Sequence, residues 1–478
     1  MTSAEPEARQ RGVRPQPTVE SFLRELSSRH PGIAVLAAGP ETRPYLDDAA
    51  TAKSALHDDA GQGPAVVFPE TAGQVQDVVR LAGGLGITVV PRGAGTGLSG
   101  GAAARPGQVV VSTDRLARVI EISPLDEVAV VEPGIINAEL NAHLEPYGLF
   151  YAPDPASFDI SSIGGNIATN AGGLRCAKYG VTRESVLALD VVLADGSLVS
   201  VGHRSIKGVT GLDLTSLFVG SEGILGIVVS ATVRLRPLPV ARRTVTAFFD
   251  STAAGAHGLA AITGSPVRPV AIEFFDTPSL DSIDSHSGTS LRGRGAALVL
   301  VELDGYGIDE QSADLATALT AAGARVTVET DDDGARLWEL RRSGRGLPRD
   351  KWYIGEDIAV PKSRLPEVYA AFPVLEARFG VDISAVSHAG DGNLHPLITL
   401  DRLPGDDPAQ PPAALQEAAT ELVRVALSLG GTVSGEHGIG SLKQDWAALE
   451  LSPRIRQAQH AIKAALDPHS LFNPGKAI

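Results

Sequence analysis

The sequence predicts an α+β protein of two or more domains, on three observations. The first is length: 478 residues exceed what one ordinary hydrophobic core organises, so the chain is expected to divide. The second is texture. From Pro64 short apolar strand-like runs alternate with a helix-period stretch, and from Thr244 to Thr330 two β-α-β units follow in series, the pattern of an antiparallel sheet carrying helices. The third is glycine. Its 52 residues gather in loops where backbone must turn tightly or lie against a ligand.

Composition narrows the classes. Apolar content of 43% and charged content of 20% are those of a soluble globular chain. A net charge of −15 argues against nucleic acid and against strong attraction to anionic lipid. The single cysteine, Cys176, excludes an intramolecular disulfide and leaves no basis for a cysteine-ligated iron–sulfur cluster in this chain. No apolar run has the length of a membrane span, and the polar N-terminus lacks the apolar centre of a secretory signal. The expected location is cytoplasmic.

Residues 1–17 are rich in proline and charge and read as disordered. Helical spacing of Val19, Phe22, Leu23 and Leu26 starts the fold. Ala65–Phe68 reads as a buried strand, Thr71 as a helix cap, Val75, Val78, Val79 and Ala82 as one helical face, and Ile87–Val90 as a second strand. The loop Pro91–Gly101 follows, with five glycines in eleven residues. Its successive N–H groups can converge on a phosphate, and the missing side chains let oxygens approach. It is not a Rossmann fingerprint, because no long amphipathic helix follows it. A second small-residue and amide-rich stretch, Pro153–Gly173, suits a polar extended ligand and reads as one long loop. Val186–Leu193, Asp195-Gly196 and Leu198–Val201 read as a hairpin. A third glycine-rich turn, Gly220–Gly226, leads into the strand Ile227–Leu235, and Arg236–Pro239 is a domain boundary. Ser279–Gly295 and Leu403–Pro412 read as loops, Ala413–Leu429 and Arg454–Leu466 as helices.

Near the C-terminus, His388-Ala-Gly-Asp-Gly-Asn-Leu-His395 and Gly435-Glu436-His437-Gly438 place three of the chain's 11 histidines among glycines. In one strand an odd offset puts His388 and His395 on opposite faces, but a glycine-rich bend can bring them together. On spacing alone they are either metal ligands or two separately hydrogen-bonded histidines. Glu436 adds a carboxylate, and a His2Glu set suits zinc, manganese or iron with open positions for substrate. Adjacent residues in an extended segment point opposite ways, so Glu436 is assigned to the metal and His437 to acid–base work.

The loop PRGAGTGLSGG, the stretch PDPASFDISSIGGNIATNAGGLRCAKYGVTRE and the turn GSEGILGI together resemble the FAD-binding domain of the vanillyl-alcohol oxidase / p-cresol methylhydroxylase superfamily. With the C-terminal motifs, the chain is similar to the D-lactate dehydrogenase / glycolate oxidase flavoprotein branch, which also holds D-2-hydroxyglutarate dehydrogenases. The resemblance runs from about residue 45 to the terminus. It implies a two-subdomain FAD-binding domain of the p-cresol methylhydroxylase (PCMH) type over residues 18–239. An α+β cap with an antiparallel sheet would span 240–430, and residues 431–478 would carry the catalytic motif back to the flavin domain.

The same resemblance implies that Arg92, Gly93, Ala94, Gly95, Thr96, Gly97, Leu98 and Ser99 wrap the FAD pyrophosphate. It further implies that Pro153, Asp154, Ser161, Gly164, Gly165, Asn166, Ala168, Thr169, Gly226 and Ile227 line the cofactor. Cys176 and His57 are the candidates for a covalent flavin link, and non-covalent binding is expected. His388, His395 and Glu436 would hold a divalent metal, His437 would take the hydroxyl proton of a 2-hydroxy acid, and hydride would pass to the flavin. Arg341 matches the family arginine that binds the substrate carboxylate, and Asn393 is placed to hydrogen-bond substrate or shape the bend. The 2-hydroxyglutarate enzymes carry a lysine just before the motif Glu356–Pro361. Here the last lysine before the motif is Lys351, which favours a monocarboxylic D-lactate or glycolate type. Expected partners are the 2-hydroxy acid and an electron acceptor: a quinone, a cytochrome, an electron-transfer flavoprotein or an iron–sulfur subunit. An oxygen-using alcohol oxidase is the alternative that would dispense with the metal. Peripheral membrane association and a homodimer remain open.

Overall fold

The computed structural model describes residues 18–51, 63–344, 346, 350–407 and 410–478. The expected disordered N-terminus and His57 lie outside them. Among the described residues no helix is long and apolar enough to cross a membrane.

The N-terminal half holds two sheets. In the first, strands Ala65–Phe68, Val109–Ser112 and Val89–Arg92 run parallel, with Ala34–Leu36 added antiparallel at one edge. The helix Ala72–Leu85 packs Val75, Val78, Val79 and Ala82 against this sheet. Thr71 caps its N-terminus, and Gly86 in the left-handed conformation ends it. That cap consumes Ile87 and Thr88 as connection, so the strand begins at Val89 rather than at the expected Ile87. The second sheet has five antiparallel strands, in the order 119–123, 128–131, 227–234, 186–192, 198–202. Its core (Val131, Leu140, Ile163, Leu189, Val233) is separate from that of the first sheet. The second sheet also contributes Val192, Ile227 and Val229 to the first core, so the two subdomains pack on each other.

The stretch 153–173 departs from its expected form. It contains a helix, Ile163–Thr169, whose first turn is capped by the Ser162 hydroxyl. Two glycines and an asparagine among its seven residues hid it, because those residues have low helix propensity; burial of Ile163 and Ile167 supplies what propensity lacks.

From Arg242 onward an eight-stranded sheet forms. Strands Arg242–Phe249, Ala271–Phe275, Ala297–Asp304 and Arg325–Val328 pair antiparallel, and each β-α-β crossover steps over one strand, so the two units interleave. Strand Ala271–Phe275 then pairs with Asp382–His388, which forms a hairpin with Asn393–Asp401. The segment read as a loop from Ser279 is instead helical over Thr277–Ser287, capped by Asp276 and buried through Leu280 and Ile283. Its polar intervening residues hid a two-sided pattern only Leu280 and Ile283 define.

Strand alternation decides where function sits. Ile272, Phe274, Ala385, Leu394 and Ile398 face the main core beneath helices Thr252–Gly264, Ile308–Ala321, Leu365–Phe379 and Ala413–Ser428. With period two, Glu273, His388 and His395 must emerge on the opposite face. That face holds only a small satellite core around Phe275, Leu280, Trp338 and Val386, and it meets the flavin-type domain through Leu174.

Candidate active site

A cavity of about 630 Å³ runs between the glycine-rich loops of the N-terminal half and this polar face of the sheet. Its size is that of a cofactor or ligand site. One end is backbone and small side chains: Arg92 to Ser99, Asp154, Gly164 to Asn166, Ala168, Thr169, Gly226 and Ile227. Among the described residues no backbone N–H from Ala94 to Leu98 bonds to a backbone oxygen, so these donors remain available to an anion. The Asn166 amide nitrogen is likewise buried without a partner beside the cavity. A donor-rich, side-chain-poor trough of this kind fits a dinucleotide carrying phosphates.

Two expected cofactor residues stand back from the cavity. Pro153 and Ser161 do not line it; their carbonyls accept from the Asn137 side chain and backbone, at 2.9 and 3.0 Å. They therefore fix the loop behind the wall rather than form it. The Arg92 guanidinium donates to the carbonyls of Asp47 and Ala102 at 2.7 and 2.9 Å, closing the glycine loop at its base. The candidate attachment residue Cys176 is buried and off the cavity wall, and burial pushes its thiol well above the usual range.

The other end of the cavity is built from charge. The hairpin register pairs His388 with Asn393 and Val386 with His395, which sets the two imidazoles diagonally on one face. Their rings lie 5.1 Å apart and nearly perpendicular, at 87°. The turn between them needs Gly392, where φ is +91° and a Cβ would collide with the Val360 carbonyl. Glu436 comes from the C-terminal segment, its carboxylate oxygens 3.8 Å from His388 Nε2 and 3.7 Å from His395 Nε2. One ligand atom from each of His388, His395 and Glu436 lies within 4.8 Å of the others, a donor set that fits a divalent cation. Gly172 of the flavin side approaches Glu436 so closely that a Cβ there would run into its carboxylate.

Each member has its charge set by neighbours. Burial disfavours the charged form of His388, but the Glu273 and Glu436 carboxylates outweigh it and raise the imidazole to about 9. His395 is held well below its usual range by burial and by the positive charges of His388 and His437. Burial and the carboxylates around it push Glu436 up to about 7, against the pull of His388. His437 stacks on His395 at 5.5 Å and 17°, and burial lowers its pKa below the usual imidazole range.

Two buried carboxylates that the sequence reading passed over organise this end. Glu273 accepts from His388 Nδ1 at 2.6 Å and from Arg341 Nε. Asp357 accepts the backbone N–H groups of Glu436 and His437 at 3.0 and 2.9 Å, the Ser434 hydroxyl at 2.8 Å and the Asn393 amide at 2.7 Å. Burial opposes its charge, yet His437 and the Lys443 ammonium outweigh that and hold its carboxyl far below the usual range. Both carboxylates had a legible signal: Glu273 is a lone acid in the apolar strand Ala271–Phe275, and Asp357 follows Glu356 in an otherwise apolar segment. Asn393 was expected to hydrogen-bond substrate or to shape the bend. Its amide is buried and turned to Asp357 and the Ile358 carbonyl, away from the cavity wall, so it shapes the bend.

Arg341 and Arg342 end the helix Asp331–Ser343, which starts with three aspartates, an arrangement that suits the helix dipole. Both line the cavity. Glu222 joins the two ends. Its carboxylate, on the third glycine-rich turn, accepts from Ile439 and Gly440 N–H at 2.9 and 2.7 Å, just past His437. The C-terminal Asn473 adds a second tie, donating to the Gly101 and Glu222 carbonyls at 2.9 Å each.

Residues 64–202 match an FAD binding domain, and residues 238–477 match the C-terminal domain of FAD linked oxidases. The chain belongs to the FAD-linked oxidases. It is an FAD-linked oxidoreductase, and its flavin domain accounts for the donor-rich end of the cavity. The chain is 37% identical over 418 residues to a glycolate oxidase subunit of Bacillus subtilis (strain 168), covering 86% of this chain and 88% of that one. It is 33% identical over 424 residues to a D-lactate dehydrogenase of Archaeoglobus fulgidus, covering 88% and 92% respectively. Among solved structures, p-cresol methylhydroxylase with substrate bound superposes with a TM-score of 0.75 at 19% identity, covering 96% of each chain. That likeness confirms the PCMH-type flavin fold.

Proposed function

We propose that this oxidoreductase converts a small D-2-hydroxy acid, of the glycolate or D-lactate type, to the 2-oxo acid. The observation that carries the reading is that His388, His395, Glu436 and His437 cluster on the wall of the cavity that the flavin loops also line. The names of the relatives, a glycolate oxidase subunit and a D-lactate dehydrogenase, support the same substrate class.

FAD, when bound along Arg92–Ser99 and Gly164–Thr169, supplies the two-electron acceptor. A divalent cation, when held by His388, His395 and Glu436, supplies a Lewis acid for the hydroxyl oxygen. The chain's own residues do the rest. Arg341 receives the substrate carboxylate as a guanidinium whose Nε is fixed by Glu273. His437, whose burial favours the uncharged ring, takes the hydroxyl proton on an imidazole nitrogen as C2 gives up its hydride. Asp357 holds Glu436 and His437 in place through their backbone N–H groups. The buried, neutral thiol of Cys176, away from the cavity, favours FAD held without a covalent link.

No lysine lines the cavity among the described residues. Lys351 is turned to Asp382 and Asp401 at 2.8 and 3.1 Å, so a second substrate carboxylate finds no lysine partner. This favours a monocarboxylic acid over D-2-hydroxyglutarate. Since one relative is named a subunit, the electrons are expected to leave for a separate acceptor, and the chain is expected to work beside such a partner in the cytoplasm. The test is anaerobic bleaching of the bound flavin by D- and L-forms of lactate, glycolate, malate and 2-hydroxyglutarate. Bleaching by D-lactate or glycolate at the lowest concentrations is expected. Bleaching by none of the panel, or by L-forms alone, would contradict the reading.

A further inference from the structure

We propose that Glu273 is a positioning residue shared by both halves of the reacting site, setting the metal ligand His388 and the substrate arginine Arg341 with one carboxylate. The proposal rests on the reading of those two residues given above. It adds the group that makes them a unit.

The geometry is specific. Glu273 is the central residue of the strand Ala271–Phe275, directly opposite His388 in the antiparallel register. Its flanking residues Ile272 and Phe274 are buried in the main core, so alternation fixes the carboxylate on the cavity side. The side chain is fully buried, and its two oxygens serve different partners. Oε1 accepts from His388 Nδ1 at 2.6 Å, and Oε2 accepts from Arg341 Nε. An isolated buried carboxylate at 0% exposure in a sheet core is costly, and both neighbours here are functional groups rather than a dedicated structural cation.

Two consequences follow from bonding alone. With Nδ1 committed as a donor to Glu273, His388 presents Nε2, the nitrogen that faces Glu436, as its ligand atom. With Nε committed, the Arg341 guanidinium can turn only about that bond, which leaves its outer nitrogens for a planar carboxylate. One carboxylate therefore fixes the spacing between the metal ligand and the carboxylate clamp. A 2-hydroxy acid would bridge that same spacing, since its carboxylate and hydroxyl sit on adjacent carbons.

The distinguishing signature is a split across variants of the full-length flavoprotein. Glu273→Gln should weaken binding of added Zn²⁺ or Mn²⁺, measured by titration after chelator treatment, by about 10–100-fold. It should also raise the KM for the preferred hydroxy acid by at least about tenfold, the scale of one lost charge-assisted hydrogen bond. Arg341→Ala should raise KM comparably while changing metal affinity less than about threefold, because His388 keeps its partner. FAD content should stay at the wild-type level in both. Glu273→Asp, which keeps the charge but shortens the reach, should fall between wild type and Gln in metal affinity and in KM, and it serves if the Gln variant does not fold. Wild-type metal affinity and KM in Glu273→Gln, or a lower Tm with both unchanged, would overturn the proposal. Wild-type protein that binds neither metal would instead refute the metal reading beneath it, and wild-type protein that binds metal but oxidises no hydroxy acid would refute the substrate reading.

Discussion

The two ends of one cavity are built by different physics. The flavin end is backbone: N–H groups of a glycine-rich loop, a short helix and a turn, with many small contributions. The opposite end is a handful of buried or half-buried titratable groups (Glu273, Asp357, His388, His395, Glu436 and His437) packed against one another. A distributed site tolerates the loss of one side chain, because no single donor carries much of the binding. A site of coupled charges does not, because removing one member leaves its partner buried and unpaired. Substitutions should therefore be severe at the second end and mild at the first.

The largest effect is expected at His437. His437→Ala should lower kcat by roughly 10²–10⁴-fold through loss of the base, with the protein still yellow; steady-state turnover with an artificial acceptor measures it. Near-wild-type turnover would remove His437 from its role. Asp357→Ala comes next and combines damage to stability and catalysis. It strips the acceptor from Glu436, His437, Ser434 and Asn393, and loss of one partner of a buried charge network costs about 3–5 kcal/mol. Thermal unfolding should show a clearly lower Tm, and any folded enzyme should turn over slowly.

At the flavin end, Asn166→Ala should weaken FAD binding by about tenfold or less, the scale of a single neutral hydrogen bond. Retained FAD at saturating cofactor should support wild-type kcat. A collapse of kcat here would erase the contrast between the two ends. The smallest effect concerns Lys476, which donates to the Gly101 and Ala103 carbonyls beneath the flavin loop. Burial lowers its pKa from 10.5 to about 8. Between those values the unfolded chain binds more protons than the folded one, so this residue makes stability rise with pH across that window. Lys476→Gln should flatten the rise in chemical-denaturation midpoints measured from pH 8 to 10, and an unchanged slope would show that another group sets it.

The same contrast governs what could be read from the sequence. The flavin loops are contiguous, so PRGAGTGLSGG and GSEGILGI announced themselves, and all the cofactor residues expected there line the cavity except Pro153 and Ser161. Those two are set back where Asn137 ties their carbonyls, and the helix Ile163–Thr169 beyond them was concealed by its poor helix formers. The charged end is assembled from segments well separated along the chain, 115 residues between Glu273 and His388 and 80 between Asp357 and His437, which spacing alone does not reveal. His388 and His395 were suspected from proximity, but their shared face depends on the register of a hairpin. Glu273, 115 residues before His388, and Asp357, 80 residues before His437, were passed over because an acid in an apolar strand reads as an oddity until its partner is known. Asn393 left two readings open, substrate contact or the bend, and its amide bonds to Asp357.

The central claim is that the histidine–carboxylate end assists, through a bound cation, a reaction whose electrons leave into the flavin end. The direct measurement is the anaerobic rate of flavin bleaching by D-lactate or glycolate, in protein stripped with EDTA and then resupplied with Zn²⁺ or Mn²⁺. Bleaching should disappear on stripping and return with the metal, with FAD content constant throughout. Bleaching at an unchanged rate in protein shown to be metal-free would contradict the account.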